Sequence, residues 1–131
     1  MQPLYGPTNP SSESQVADGV QRYAGFVELD PAKEQLYREL HADVWPEVVA
    51  ACKRAHIQNY HIWIQTIGER KYLFRSFEYT GTDPEADFAL AGEDPTTRDK
   101  WWPLTDGCML GVAGRPRGEE WTDAELVMFM P

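Results

Sequence analysis

The residues best suited to chemistry in this 131-residue chain include a row with a spacing of four. Tyr37, His41 and Trp45 follow one another in a helix-favouring segment, so a helix would place them along one side. An imidazole exchanges protons in both directions near neutral pH, because its ordinary pKa is about 6.5. The row predicts a proton-transferring histidine between aromatic rings, and a histidine at the edge of the core is the alternative interpretation.

A second feature is the tryptophan pair Trp101-Trp102. Neighbouring residues on a helix point about 100° apart, so both rings cannot enter one core. Tryptophan faces pack against the C–H faces of a sugar, while polar edges bind its hydroxyls. Tyr60, at the head of a predicted strand, can supply such an edge. A pair with one packed and one partly exposed ring, and no ligand, is the alternative.

Carboxylates are the other candidates for proton transfer. Asp43, Glu47 and Glu78 could each serve as a second acid or base, although such side chains are more often solvated or helix-terminal charges. Asn59 and Asp106 are weaker polar candidates. The sequence does not choose between these groups, so the partner of the histidine stays open.

The histidines and cysteines lack the spacing of a metal site or a redox pair. Cys52 and Cys108 lie far apart, and His56 and His61 form neither a pair nor part of a triad suited to a metal. The chain also has no glycine-rich phosphate loop, G-x-S-x-G elbow or H-E-x-x-H motif. We therefore expect no metal and no cofactor, and two reduced thiols in a cytoplasmic protein, with a disulfide as the alternative.

Composition excludes several classes of partner. Lys and Arg number 12 against 21 Asp and Glu, which gives a formal charge of −9, and the basic residues are scattered. This excess of negative charge disfavours binding to nucleic acid, whose phosphates are also negative. No apolar stretch approaches the roughly 20 residues that span a bilayer, and the N-terminus lacks an export signal. We expect a soluble protein with neither nucleic-acid nor membrane partners.

Secondary-structure signals are typical of one domain preceded by a tail. Residues 1–20 are rich in proline, glycine and serine without periodicity, so we expect a flexible tail there and one domain at 21–131. The predicted elements are a strand at 22–29, helices at 33–44 and 47–55, a hairpin with strands at 59–66 and 71–80, helices at 84–92 and from 95 toward 108, a loop at 111–118 and a final strand at 125–130.

The order β-α-β-β-α-β predicts an α+β fold of the ferredoxin-like type. In this arrangement a four-stranded antiparallel sheet carries its helices on one face. The other face would expose aromatic residues of the hairpin, which need a cover. A second copy is the simplest cover for a chain of this size, so we expect a homodimer of the dimeric α+β barrel type.

Three motifs together resemble those of the L-rhamnose mutarotase family. The string Y-x-x-x-H-x-x-x-W-P-E runs from Tyr37 to Glu47, an N-Y pair follows at 59–60, and the WW pair precedes Thr105-Asp106. The resemblance covers residues 22 to 131. The ordered set of motifs is far more specific than any one of them.

The resemblance implies a cofactor-free sugar epimerase of ferredoxin-like fold that acts as a dimer and interconverts the α and β anomers of a 6-deoxyhexose. In that family, the histidine matching His41 is the proton donor. The residues matching Tyr37, Tyr60, Trp101 and Trp102 contact the sugar. The N-terminal tail and the GRPRGEEW stretch lie outside the motifs, so the identity of the sugar stays open.

Two other functions are compatible with the same predicted fold. A cofactor-independent oxygenase would have a mostly apolar pocket and an aromatic substrate. A sugar-binding or interaction module would use the aromatic rings while His41 does no chemistry. Mutarotation requires a group that both donates and accepts a proton near neutral pH, and His41 fits that requirement.

Overall fold

The computed structural model describes residues 1–110 and 121–130, which form an antiparallel sheet with helices on one face, and this confirms the α+β class. The strands are β1 Gln21–Leu29, β2 Ile57–Ile67, β3 Arg70–Tyr79, β4 Met109–Leu110 and β5 Thr122–Ala124. The order across the sheet is β2-β3-β1-β4. Because β3 occupies one edge of β1 along its whole length, β4 and β5 share the other edge.

The helices begin at capping signals that the sequence contains. They are α1 Ser12–Ala17, α2 Glu34–Ala42, α3 Pro46–Arg54, α4 Pro84–Ala91 and α5 Trp102–Asp106, with a 3-10 turn Pro31–Lys33 before α2 and a π-helical turn Thr97–Trp101 before α5. The carboxylates of Asp30 and Asp83 accept from backbone N–H groups of the following turn, and a proline follows each of them. Among the described residues, no helix is long and apolar enough to cross a membrane.

Helix α2 ends earlier than the sequence predicts. It stops at Ala42 rather than at 44, because Trp45 precedes a proline and takes an extended backbone with ψ of 137°. The predicted apolar stripe of this helix is only half-buried: Leu36, Leu40 and Val44. Tyr37 is the buried residue of α2 instead.

The core lies between the helices and the face of the sheet that we call the inner face. Strand alternation puts Val27, Leu29 and Leu73 on this face, where they are at most 1% exposed. Tyr37, Cys108 and Met109 complete the same cluster. Burial of each aliphatic side chain contributes about 1.5–3 kcal/mol, so this cluster fixes α2 against β1 and β3.

The predicted final strand is wrong. Residues 125–130 form no strand, and the short strand that closes the sheet is Thr122–Ala124. After Ala124 the chain no longer pairs with β1 but stays beside it: the backbone N–H of Phe129 donates to the carbonyl of Thr8, and Arg22 of β1 lies 3.3 Å over the Phe129 ring. A short apolar run such as residues 125–130 does not show by itself whether it forms a strand or which edge of the sheet it would join. The predicted loop at 111–118 lies outside the described residues.

The expectation that residues 1–20 contain no regular element is wrong for α1. The side chain of Ser11 accepts from Ser14 N at 3.2 Å and begins this helix. The buried Gln15 accepts from Arg22 N at 2.9 Å and donates to the Pro10 carbonyl. The serine cluster that suggested a tail is a helix cap.

Gly25 provides a test of the closing strand. A Cβ at this position would lie 2.9 Å from the carbonyl oxygen of Thr122. Gly25→Ala must push β5 away from β1, so we expect a loss of about 1–3 kcal/mol in the free energy of unfolding by urea. Gly6→Ala is the control, because its Cβ would meet nothing within 4 Å. Equal stability of the two variants would contradict the close pairing of β5.

Candidate active site

A cavity of about 800 Å³ lies between the inner face of the sheet and helices α2, α3 and α4. It brings together four of the five predicted site residues: His41, Tyr60, Trp101 and Trp102. A second cavity of about 530 Å³ lies between the other side of the sheet and residues 124–128, and none of the five lines it.

His41 comes from the last turn of α2, and one of its ring nitrogens already has a partner. Nδ1 lies 2.9 Å from the carbonyl oxygen of Tyr37. Because a carbonyl only accepts, Nδ1 carries the proton and Nε2 of the neutral ring is left for a ligand. Burial lowers the pKa of His41 below its ordinary 6.5, and the bond to the Tyr37 carbonyl opposes this shift. The imidazole is therefore neutral at pH 7.

Tyr37 lies beneath the imidazole and does not line the cavity. Its ring stacks on that of His41 with centroids 4.1 Å apart, and it is 4% exposed. Burial raises the pKa of the Tyr37 phenol, Tyr60 adds to the rise and Arg75 opposes it. Tyr37 therefore contacts His41 but lies behind the cavity wall, in a supporting position.

The two tryptophans border the cavity in different ways. Trp101 is 6% exposed, and its ring meets the rings of His41 and Trp45 edge-on at 5.2 and 5.1 Å. Trp102 is 40% exposed. Its ring lies against Gly92, where a Cβ would be 3.2 Å from it. One ring is packed and one is partly exposed, and both face the same cavity.

Tyr60 lies on the inner face, in phase with Ile62, at a bulge in β2. The register shifts between Gln58 and His61, so Asn59 and Tyr60 together oppose Phe77. Asn59 takes the left-handed backbone region at φ +47°, which asparagine tolerates better than most residues. The Tyr60 ring consequently stacks on Phe77 with centroids 5.3 Å apart.

Glu78 holds this bulge from the other side of the sheet. Its Oε1 accepts from Asn59 Nδ2 at 2.5 Å and from Gln58 Nε2 at 3.0 Å, and Arg22 lies 3.7 Å from Oε2. These hydrogen bonds lower the pKa of the Glu78 carboxyl. Glu78 does not line the cavity. It supports the bulge that presents Tyr60.

Of the other polar candidates from the sequence, some line the cavity and some do not. Asp43, Glu47 and Asp106 do not line the cavity, whereas Asn59 does. Asp123, which sequence reasoning missed, lies on β5 at the cavity wall. Within residues 1–110 and 121–130, no three His, Cys, Asp or Glu side chains are grouped to hold a metal ion.

Sequence reasoning also missed Arg75 on β3, which lines the cavity. Its Nη1 lies 3.4 Å from the Tyr60 hydroxyl, and its guanidinium lies 4.4 Å over the Trp121 ring. The alternation of inward and outward residues along β3 could have identified Arg75 from the sequence. Arg75 shares the inward phase with Leu73 and Phe77, and a charge at such a position calls for a partner or a ligand.

A model of the L-rhamnose mutarotase family matches residues 22–130. The chain belongs to this family. A curated L-rhamnose mutarotase of Acidiphilium cryptum (strain JF-5) is 40% identical to it over 45 residues, which are 34% of this chain and 43% of that relative. The chain thus spans less than half of the length of that relative.

The fold of this member of the L-rhamnose mutarotase family is similar to that of a solved protein. The crystal structure of an L-rhamnose mutarotase from Formosa agariphila aligns with a TM-score of 0.57 and 24% identity, over 85% of this chain and 99% of that chain. At this identity the likeness concerns the fold. Membership of the L-rhamnose mutarotase family confirms the resemblance drawn from the three motifs.

The unequal burial of the two tryptophans predicts unequal effects on stability. We expect Trp101→Ala to lose about 3–5 kcal/mol in the free energy of unfolding, because it empties a packed aromatic site. Trp102→Ala should lose about 1 kcal/mol, because much of that ring is already in water. Urea unfolding midpoints of the two variants measure the difference. Equal losses would contradict the packing of Trp101 on His41.

Proposed function

We propose that the protein is a sugar mutarotase that interconverts the α and β anomers of L-rhamnose or a similar 6-deoxyhexose. The observation that carries the proposal is His41, a neutral imidazole with Nε2 free on the wall of a cavity that two tryptophans also line. Membership of the L-rhamnose mutarotase family supports it. The family name and the cavity thus favour the same substrate class.

The chemistry is ring opening and closure by general acid–base catalysis. One group removes the proton of the anomeric hydroxyl while another protonates the ring oxygen, and the two exchange roles when the ring closes on the other face. The neutral His41 takes the anomeric proton on opening and donates it on closing. This sequence needs neither a metal ion nor a nucleotide.

The cavity walls suit a monosaccharide. Trp101 and Trp102 offer apolar faces to the C–H groups and the 6-methyl group, and Tyr60 offers a hydroxyl to the polar edge of the sugar. Tyr37 holds the ring of His41 in place through its backbone carbonyl and through the stack of the two rings. The role of Tyr37 is therefore support rather than sugar contact.

The proposed unit is a ferredoxin-like domain at residues 21–131. The strand order β2-β3-β1-β4, with helices on one face, supports this arrangement. We also propose a cytoplasmic location, which the free thiols of Cys52 and Cys108 favour.

We propose further that the protein is a homodimer of the α+β barrel type. The outer face, the side of the sheet without helices, carries a row of aromatic residues, because Trp63 pairs with Phe74 and Phe74 pairs with Phe26. The rings of Phe26 and Phe74 stack at 6.2 Å, and Trp63 is 55% exposed. A second copy laid against this row would remove these rings from water.

His41→Asn tests the proposed function. The amide keeps a polar side chain of similar shape but cannot titrate, so we expect it to lower anomer exchange by about 10²–10⁴-fold. Saturation transfer between the α and β anomeric protons of L-rhamnose and L-fucose, by NMR, measures the exchange rate.

The matched control for this variant is His61→Asn, since His61 stacks on Trp63 on the outer face and does not line the cavity.

The wild-type rate should fall as pH drops through a value below 6.5, because protonation of His41 removes the base. Wild-type exchange by His41→Asn would remove this residue from the mechanism. Sugar binding without any exchange by the wild type would favour a binding module instead.

The proposed dimer is testable by mass. Light scattering should give twice the 15.0 kDa of one chain. Trp63→Asp should shift the mass toward the monomer, because a carboxylate would then lie within the buried aromatic row. Leu4→Asp is the control, since Leu4 is 82% exposed in the N-terminal segment. A wild-type mass of one chain at micromolar concentration would contradict the dimer.

A further inference from the structure

The cavity receives ionisable or charged side chains from two layers of the fold. His41 enters from α2, whereas Tyr60 and Arg75 enter from the neighbouring strands β2 and β3. Mutarotation needs one group for the anomeric hydroxyl and another for the ring oxygen. The only acidic residue of the described part of the chain that lines the wall is Asp123, and it is exposed, as is Tyr60 at 41%. Tyr60 is the better-held partner for His41, because its ring stacks on Phe77 and its hydroxyl lies 3.4 Å from Nη1 of Arg75.

Arg75 is held by aromatic groups. Its guanidinium lies 4.4 Å over the face of Trp121, and its Nη1 lies 3.4 Å from the Tyr60 oxygen. None of the ion pairs found among residues 1–110 and 121–130 includes Arg75. No carboxylate of these described residues therefore pairs with Arg75, and its charge acts on the cavity and on Tyr60.

The hydrogen bond between them sets the direction of the Tyr60 proton. A guanidinium has donors only, so the phenolic oxygen of Tyr60 accepts from Arg75. The O–H proton of Tyr60 then points away from Arg75 and is available to a ligand in the cavity. The stack of Tyr60 on Phe77 holds the ring at a fixed angle. A donor with a fixed direction is what proton transfer to a sugar oxygen requires.

We propose that Tyr60 is the second proton-transfer group of this cavity and that Arg75 is the positioning residue that orients its hydroxyl and stabilises its phenolate. The inference rests on the proposed mutarotase function and names the partner of His41 in that reaction.

In ring opening, the bond from C1 to the ring oxygen breaks, and the ring oxygen takes the Tyr60 proton. Nε2 of His41 takes the proton of the anomeric hydroxyl. The open aldehyde, a phenolate and an imidazolium result, so protons and charge balance. After rotation about C1–C2, the ring oxygen attacks the other face of the carbonyl and returns its proton to Tyr60, while His41 protonates the new anomeric oxygen. Arg75 stabilises the phenolate between these steps.

The surroundings of Tyr60 agree with these starting protonation states. Burial raises the pKa of Tyr60, Cys52 on α3 adds to the rise and Arg75 on β3 opposes it. The phenol is therefore protonated at pH 7, when His41 is neutral. Tyr60 in turn raises the pKa of the Tyr37 phenol on α2. Ring opening thus starts with the acid and the base both in the required form.

A double-mutant cycle on Tyr60 and Arg75 tests the inference, with anomer exchange of L-rhamnose measured by NMR. We expect Tyr60→Phe to lower kcat by about 10²-fold or more, with KM changed by no more than about threefold. Arg75→Gln should lower kcat by about tenfold. In the Tyr60→Phe background, Arg75→Gln should have no further effect, because Arg75 acts through the Tyr60 hydroxyl. Arg75→Lys should recover part of the rate, because it keeps the charge without the planar fork.

Control variants separate this role from packing. Tyr5→Phe and Arg38→Gln alter an exposed tyrosine and an exposed arginine away from the cavity, and both should keep the wild-type rate. Urea unfolding of every variant shows whether it is folded at the temperature of the assay. If Arg75→Gln does not fold, the comparison of Arg75→Lys with and without Tyr60→Phe gives the same cycle.

Three results would overturn the inference. Independent, multiplicative losses in the double variant would mean that Arg75 does not act through Tyr60. A rise in KM with unchanged kcat in Tyr60→Phe would make Tyr60 a binding residue only. A larger loss of kcat in Asp123→Asn than in Tyr60→Phe would assign the second group to β5. In each case the wild type still exchanges anomers, whereas absence of exchange in the wild type would reject the proposed function itself.

Discussion

The contact between Tyr37 and His41 connects the stability of the fold to the geometry of the cavity. The Tyr37 ring is buried in the core cluster beside Val27 and Leu73, and its other side stacks on the imidazole. The carbonyl of the same residue holds Nδ1 of His41 and so leaves Nε2 for a ligand. Because a close-packed core resists displacement, the packing that fixes α2 on the sheet also fixes the nitrogen that exchanges protons.

The sheet contributes to the cavity through a bulge in β2 as well as through the regular alternation of β3. In an unbroken β2, alternation would turn one of the neighbours Asn59 and Tyr60 inward and the other outward in step with the rest of the strand. The bulge places both opposite Phe77, and Glu78 satisfies the side chain of Asn59 on the outer face. The unfavourable backbone at Asn59 is thus offset by hydrogen bonds, which is common where a strand must aim a functional side chain.

The secondary structure followed largely from local signals. The hairpin with its turn at Gly68, the capped helix after Asp83 and the break at Trp45-Pro46 all lie where turn, capping and proline chemistry predict them. The chain ends were harder to predict. A serine cluster resembled a tail and is a helix cap, and the apolar residues 125–130 resembled a strand although they do not pair with the edge of β1 that β4 and β5 leave open at residues 21–23.

The sequence by itself determined the chemical types and their order: an imidazole four residues after a phenol, an N-Y pair on a strand and two adjacent indoles. Spacing sufficed for these because helix and strand periods are local properties. Only the tertiary structure decided that Tyr37 lies under His41 rather than on the wall, that Glu78 is excluded from the cavity, and that Arg75 and Asp123 belong to it. The alternation of β3 encodes the inward phase of Arg75, but which residues share one cavity depends on packing between elements distant in sequence, and no local period encodes that packing.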